Sequence, residues 1–171
     1  MTRSREADAF DLAFRRRAPR LQLHAERDSD RGFLIALFIE CSPLRAMLPQ
    51  ALLHQQADAQ QASQRQNNPG AMRRIVAGPS GPIGRIAIDW RAGDHSYGVD
   101  VAVLPEARHT GAGLHMLRAW LDVADQFGRP CRLEVLRGNP AARLYARLGF
   151  RASPFDDLEA PVVAMERKPA P

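Results

Sequence analysis

One stretch, VLPEARHTGAGLHML at residues 103–117, limits the possible folds of this chain more than any other part of its sequence. A run of alternating valines ends at Pro105, and Gly111 and Gly113 stand where the next helix should begin. The first turn of a helix presents unpaired N–H groups and the positive end of the helix dipole. Glycines let a phosphate approach those groups closely. The stretch predicts an anion-binding strand-to-helix turn, although a glycine-rich turn that binds nothing would show the same residues.

Two common phosphate motifs do not fit this stretch. A P-loop needs Lys followed by Ser or Thr after its last glycine, whereas Leu114 and His115 follow Gly113. The dinucleotide fingerprint needs a small residue three positions after its second glycine, where this chain has Met116. No early βαβ unit surrounds the stretch either. The turn is therefore of a third kind.

Composition narrows the class of protein. A chain of 171 residues is long enough for one compact domain with a core. No run approaches the ~18 apolar residues of a membrane helix, so we expect a cytoplasmic protein. The formal charge is +5, and Lys168 is the single lysine, so nearly all the basic residues are arginines. No basic stretch is interleaved with aromatic residues that could stack on nucleic acid, so we do not expect nucleic-acid binding as the main function. We expect Cys41 and Cys131 to be free thiols, and their spacing does not suggest a metal site.

The hydrophobic pattern predicts a mixed α/β domain over residues 20–168, with the element order βααβββαβαβ(β). Residues 1–19 are charged and lack the apolar segment of a signal peptide, so we expect a flexible N-terminal extension. Strands are predicted over 20–27, 73–78, 83–91, 97–105, 131–136 and 160–167. Helices are predicted over 28–44, 49–70, 111–128 and 139–150.

Val103, Pro105, Arg108, Gly111 and Gly113 form the pattern V-x-P-x-x-R-x-x-G-x-G, which resembles the coenzyme A motif of the GNAT N-acetyltransferases. The later segment LEVLRGNPAARLYARLGF is similar to the strand and helix that follow one helix after this motif in the family. The resemblance covers most of the chain from about residue 20. It implies an α/β fold with a mixed, mostly antiparallel central sheet flanked by helices, and acetyl-CoA as co-substrate.

The resemblance also implies where acetyl-CoA binds. The backbone of the strand before the turn would pair with the pantetheine arm, and the turn amides would hold the pyrophosphate. Arg108 would either order the loop or meet a phosphate. Asn139 would either contact the pantetheine region or cap its helix, because it lies six positions before Tyr145 rather than the seven of many relatives. The implied cofactor-binding residues are Val101, Ala102, Val103, Arg108, His109, Thr110, Gly111, Ala112, Gly113, Leu114, Asn139, Ala142 and Tyr145.

The implied chemistry is attack of a neutral amine on a thioester. Tyr145 matches the general acid of the family, and a phenol with an ordinary pKa near ~10 is protonated at neutral pH. Glu134 matches a strand glutamate that acts as the base in members that acetylate protein N-termini. Asp100, Asp89 or a water chain without a dedicated base are the alternatives.

We expect acetyl transfer to a primary amine of a small molecule or protein, by direct attack in a ternary complex, because no nucleophile with a paired base is evident. One alternative is a catalytically silent acyl-CoA-binding module. Another is an enzyme that acetylates aminoacyl-tRNA, which would use the positive charge. The acceptor would enter between residues 30–60 and 151–162, where Asp156, Asp157 and Glu159 could attract a cationic amine. The sequence specifies neither the amine acceptor nor the acyl chain. Homodimers are common in the family, but no segment of this sequence specifies a dimer interface.

Overall fold

The structure is a computed structural model that describes residues 4–153 and 159–170. Five α-helices are found in these residues: α1 (Arg5–Arg17), α2 (Arg31–Cys41), α3 (Gln50–Asn67), α4 (Ala112–Gln126) and α5 (Ala141–Arg147). The strands there are β1 (Gln22–Ala25), β2 (Met72–Gly78), β3 (Gly81–Ala92), β4 (His95–Val103), β5 (Cys131–Leu136), β6 (Arg151–Ala152) and β7 (Val162–Arg167). They form one sheet in the order β1-β2-β3-β4-β5-β7-β6.

The fold class predicted from the sequence is confirmed. Every strand pair in this sheet is antiparallel except β4 with β5, which is parallel. From β1 onward the helices and strands follow the predicted order. No helix within the described residues is both long and apolar enough to cross a membrane.

The sheet carries helices on both faces because its strands alternate. Ile86 of β3 is fully buried in the hydrophobic core that α1 and α4 cover. The neighbouring Arg85 points to the opposite face, toward a cavity lined by α2 and α3. The apolar stripe of α4, including Met116 and Trp120, is fully buried against the first face. One face of the sheet is thus a dry core, and the other borders a cavity.

The prediction of a flexible N-terminal extension is wrong for residues 5–17, which form α1. Phe10 and Phe14 of this helix are fully buried, with ring centroids 6.3 Å apart. Ser4 caps the helix by accepting a hydrogen bond from the Ala7 N–H at 3.2 Å. An ion pair of 2.6 Å between Arg17 and Asp122 ties α1 to α4. The abundant charges concealed a short apolar stripe that is enough to bury one face of the helix.

β4 and β5 separate partway along their length. They pair from Ser96 with Cys131 to Gly98 with Leu133, and not beyond. On its other edge β4 carries a bulge, because Ala87 and Ile88 of β3 face Asp100 and Gly98 and leave Val99 as the extra residue. The gap between residues 99–103 and 134–136 is called the cleft below.

Gly98, the last residue of β4 that pairs with β5, lies under the ring of Trp120. A Cβ at this position would be 2.7 Å from Cη2 of that ring, so no other residue fits without moving the tryptophan. The indole nitrogen of Trp120 donates to Oγ of Ser96 at 2.9 Å, which holds the ring in place. This close packing of α4 on β4 therefore marks the point where the cleft begins.

Candidate active site

The predicted anion-binding turn, residues 108–114, is called the cradle below. It follows β4 after a short 3₁₀ helix at Pro105–Ala107. His109 and Gly111 have left-handed backbone conformations, with φ of 65° and 91°. Gly111 is the residue before α4, and a Cβ there would also lie 3.2 Å from Nε2 of His115. The first amides of α4 have no acceptor within the helix. The cradle therefore presents backbone donors at the positive end of a fifteen-residue helix.

Two side chains fix the shape of the cradle from within. The Thr110 hydroxyl donates to the Ala107 carbonyl oxygen at 2.8 Å. The Arg108 guanidinium donates through Nε to the Val103 carbonyl oxygen at 3.4 Å and through Nη2 to Sγ of Cys41 at 3.5 Å. Arg108 is expected either to order the loop or to meet a phosphate, and this geometry fits the first role.

The strand residues predicted to bind pantetheine lie along the cleft. Val101 and Val103 pack their side chains against the hydrophobic core, and Ala102 lines the cavity on the other face. Their backbone has β3 on one side and no strand partner on the β5 side. An extended ligand could add there as a further strand.

Tyr145 lies on α5, across the cleft from β4. Its side chain is buried, with 8% of the residue exposed, and its ring meets that of Phe150 edge-on at 5.9 Å. Burial, and then the carboxylate of Asp100, raises the pKa of Tyr145 to about 12. The Tyr145 hydroxyl has no hydrogen-bond partner among the described residues. A protonated phenol thus lies close enough to β4 for the carboxylate of Asp100 to act on its pKa.

The three carboxylates considered as the base have different surroundings. Glu134 is exposed and shares a face of β5 with Leu136, which lines the cavity. Asp100 is held by an ion pair of 2.7 Å to Arg85. Asp89 accepts a hydrogen bond from the Arg91 N–H near the end of β3. Of the three, Glu134 is the one that is exposed beside the cleft.

Sequence reasoning missed the polar cluster below the cavity. The cavity has a volume of about 390 Å³ and lies between α2, α3 and the sheet, with Val101 and Ala102 of β4 in its wall. Arg85, only 4% exposed, donates to Glu26 at 2.8 Å and to Asp100 and Gln64 at 2.7 Å each. An arginine in the middle of an alternating apolar strand was the available clue, because a buried charge needs partners.

The remaining predicted positions have simpler environments. Oδ1 of Asn139 accepts a hydrogen bond from the Ala141 N–H at 2.9 Å, which is the capping role considered for it. Ala142 is half-buried and packs on the core. Asp156 and Asp157 lie outside the described residues, and Glu159 is exposed. In the part of the chain that the structure describes, no group of three His, Cys, Asp or Glu side chains could hold a metal ion.

Comparisons with solved structures show how widely this architecture is shared. The PaiA N-acetyltransferase of Thermoplasma acidophilum, solved with coenzyme A, has a TM-score of 0.67 at 18% identity, covering 86% of this chain and 98% of that one. A protein of Corynebacterium glutamicum described as histone acetyltransferase HPA2 and related acetyltransferase gives 0.61 at 22% identity, covering 89% and 98%. The ribosomal-protein-S18-alanine N-acetyltransferase of Escherichia coli gives 0.59 at 17% identity, covering 88% and 95%. At these identities the likeness shows the fold.

The sequence itself matches a family model over part of its length. No curated protein matches the chain. Residues 73–152 match the family model of the acetyltransferase (GNAT) domain, a segment that runs from β2 to β6 and contains the cleft, the cradle and α5. The donor in this family is acetyl-CoA, and the cleft and cradle have the free backbone groups that its extended arm and pyrophosphate require. Residues 73–152 are therefore similar to the GNAT acetyltransferases, enzymes that transfer an acetyl group from acetyl-CoA, and the fold around this segment is the GNAT fold.

Proposed function

We propose that this protein transfers the acetyl group of acetyl-CoA to a primary amine by direct attack in a ternary complex. The observation that carries the proposal is the separation of β4 from β5 after Gly98, with the cradle at the end of β4. Tyr145 lies across the same cleft, close enough for the charge of Asp100 to act on it. This arrangement supports a donor site, a proton donor and an adjoining cavity that act together.

The donor would bind mainly through the backbone. Residues 101–103 pair with the pantetheine arm, and the amides of residues 109–114 hold the pyrophosphate. Gly113 has no side chain to keep a phosphate away from these amides, and a Cβ there would meet only Val103 at 3.5 Å. Arg108 stabilises the loop by its bond to the Val103 carbonyl oxygen.

Two proton transfers accompany the chemical step. The amine nitrogen attacks the thioester carbonyl carbon, and the carbon–sulfur bond breaks as the amide forms. Tyr145 gives its proton to the departing sulfur, because a phenol with a pKa of about 12 is fully protonated at neutral pH. Glu134, exposed beside the cleft, takes the proton of the amine through water. Asp100 stays paired with Arg85 and positions the cluster.

Direct attack is favoured over an acetylated cysteine. Cys131 is fully buried, and burial raises the pKa of its thiol to about 11. Burial also raises the pKa of Cys41, although Arg108 opposes the shift. Both thiols therefore stay protonated at neutral pH, and the thiolate is the reactive form. A silent binding module would bind acetyl-CoA without turnover on any amine, and an enzyme acting on aminoacyl-tRNA would bind tRNA with steep salt dependence.

The substitution Gly113→Glu tests the donor site. We expect it to weaken acetyl-CoA binding about tenfold or more, because two like charges 4 Å apart repel by about 1 kcal/mol in water and about 4 kcal/mol near a protein surface. Gly113 has an ordinary helical φ, so the variant should fold. Calorimetric titration with acetyl-CoA gives the Kd, and release of free thiol across a panel of amines gives turnover.

Gly70→Glu is the matched control. Gly70 is exposed, a Cβ there would meet nothing within 4 Å, and it lies in the turn between α3 and β2. This variant should bind acetyl-CoA like the wild type. If Gly113→Glu bound acetyl-CoA as tightly as the wild type, the cradle would not be the pyrophosphate site. A folded wild type that bound no acetyl-CoA would refute the proposed function.

A further inference from the structure

The cavity beside the cleft has walls of two kinds. The apolar wall comes mainly from α2 and the sheet, with Leu34, Leu37, Phe38, Ala102 and Leu136 among its residues. The polar wall is made of amides, because four glutamines of α3 line the same space. They are Gln56, Gln60, Gln61 and Gln64. A ligand that fits both walls has an apolar part and a neutral polar part.

The charged groups below the cavity are paired with one another. Arg85 pairs with Glu26 and Asp100, and Arg65 pairs with Glu26 at 3.1 Å. Arg85 and Asp100 are the charged residues among those that line the cavity. A second ammonium or a free carboxylate on the ligand would lose its hydration here, beside charged groups that are already paired with one another.

Two hydrogen-bond donors in the cavity wall lack acceptors. Nε2 of Gln61 is buried and has no partner. Arg85 uses Nε and Nη1 in its bonds to Glu26, Gln64 and Asp100, while its Nη2 has no partner among the described residues. Arg85 is 96% buried, so this nitrogen belongs to a side chain held in place by its other bonds. A buried donor without an acceptor, as at Nε2 of Gln61, is unfavourable, and a carbonyl oxygen of a ligand would satisfy it.

We propose that the acceptor is an α-amino amide with an apolar side chain, the chemistry of the first residue of a peptide. This inference rests on the proposed acetyl transfer. The apolar wall takes the side chain, and the carbonyl oxygen accepts from Gln61 and Arg85. The amine then lies toward residues 100–102 of β4, where the cavity meets the cleft. An α-amine has a pKa near ~8, so more of it is neutral at physiological pH than of an alkyl amine, and a weak base such as Glu134 suffices.

Three small amines separate the features of this class. Leucinamide has the apolar group and the neutral carbonyl, leucine replaces the amide with a carboxylate, and isopentylamine lacks the carbonyl altogether. We expect kcat/KM for leucinamide to exceed that for leucine and for isopentylamine by about tenfold or more, the worth of one to two hydrogen bonds. Spermidine, which carries several ammonium groups, should be a poor acceptor.

The substitution Gln61→Leu tests the carbonyl contact. It removes a donor that has no partner in the free protein, so the midpoint of thermal unfolding should stay the same or rise. It should lower kcat/KM for leucinamide about tenfold and leave that for isopentylamine unchanged. Because the two amines differ in basicity, the ratio of their kcat/KM values is compared between variant and wild type. Gln55→Leu, on the same helix and outside the cavity wall, should leave both values unchanged.

The outcomes distinguish this inference from the proposed function. If Gln61→Leu changes both substrates equally or neither, the carbonyl contact is refuted. If leucine or spermidine is acetylated as efficiently as leucinamide, the substrate class is refuted while acetyl transfer to an amine stands. If acetyl-CoA binds and no amine is acetylated, the proposed function fails and this inference fails with it.

Discussion

Replacing Tyr145 with Phe is expected to lower kcat by about 100-fold or more and to leave the Kd for acetyl-CoA unchanged. General acid catalysis contributes about 10²–10⁴-fold, and the phenol hydroxyl is the group we assign to it. The ring would keep its edge-on contact with Phe150, since the substitution removes only the hydroxyl. That hydroxyl has no hydrogen-bond partner among the described residues, so its loss should not destabilise the fold.

The measurement is kcat at saturating acetyl-CoA and amine, with a calorimetric Kd for acetyl-CoA. Tyr97→Phe is the matched control, because Tyr97 is the second of two tyrosines and its phenol is also partly buried, which raises its pKa. That control should retain its turnover. An unchanged kcat in Tyr145→Phe would exclude the acid role, and a parallel loss of acetyl-CoA binding would assign Tyr145 to packing.

Replacing Phe14 with Ala is expected to lower the free energy of unfolding by about 3–5 kcal/mol, the usual cost of truncating a fully buried aromatic side chain. Phe14 lies on α1, is fully buried and packs beside Phe10. The space left by the missing ring of Phe14 would lie in the core between α1, α4 and the sheet. Urea unfolding followed by circular dichroism gives the difference.

Leu12→Ala is the control for this substitution. Leu12 belongs to the same helix but is 52% exposed, so its truncation should cost less than about 1 kcal/mol. Equal, small losses in the two variants would mean that α1 is not part of the cooperative core and would restore the prediction of a loosely held extension.

α1 and the element order show what local sequence patterns can and cannot reveal. Strands and helices from residue 20 onward have long periodic patterns with clear ends, such as Pro43 after α2, and their order is confirmed. α1 has only Ala7, Phe10 and Phe14 as its buried positions, scattered among charged residues. Its stability comes from packing on α4 and from ion pairs to distant residues, and no local pattern shows either.

The candidate site, like the fold, has one part that local sequence predicts and another part that depends on contacts between distant residues. The cradle was predictable because its glycines and its helix are adjacent in the sequence. The start of the cleft depends on Trp120 lying over Gly98, two positions that are 22 residues apart in the chain. The cluster of Glu26, Arg85 and Asp100 likewise joins three separate strand regions. Long-range contacts of this kind define the cavity and therefore the acceptor.

Amide hydrogen exchange, followed by mass spectrometry with and without saturating acetyl-CoA, tests the binding of the donor in the cleft most directly. Pairing of the pantetheine arm with β4 and binding of the pyrophosphate by the cradle should slow exchange in residues 99–103 and 109–114. Exchange in α1 should not change, since α1 lies on the opposite face of the sheet from the cavity. Unchanged exchange in both segments at saturating acetyl-CoA would contradict the assignment of the cleft and cradle as the donor site.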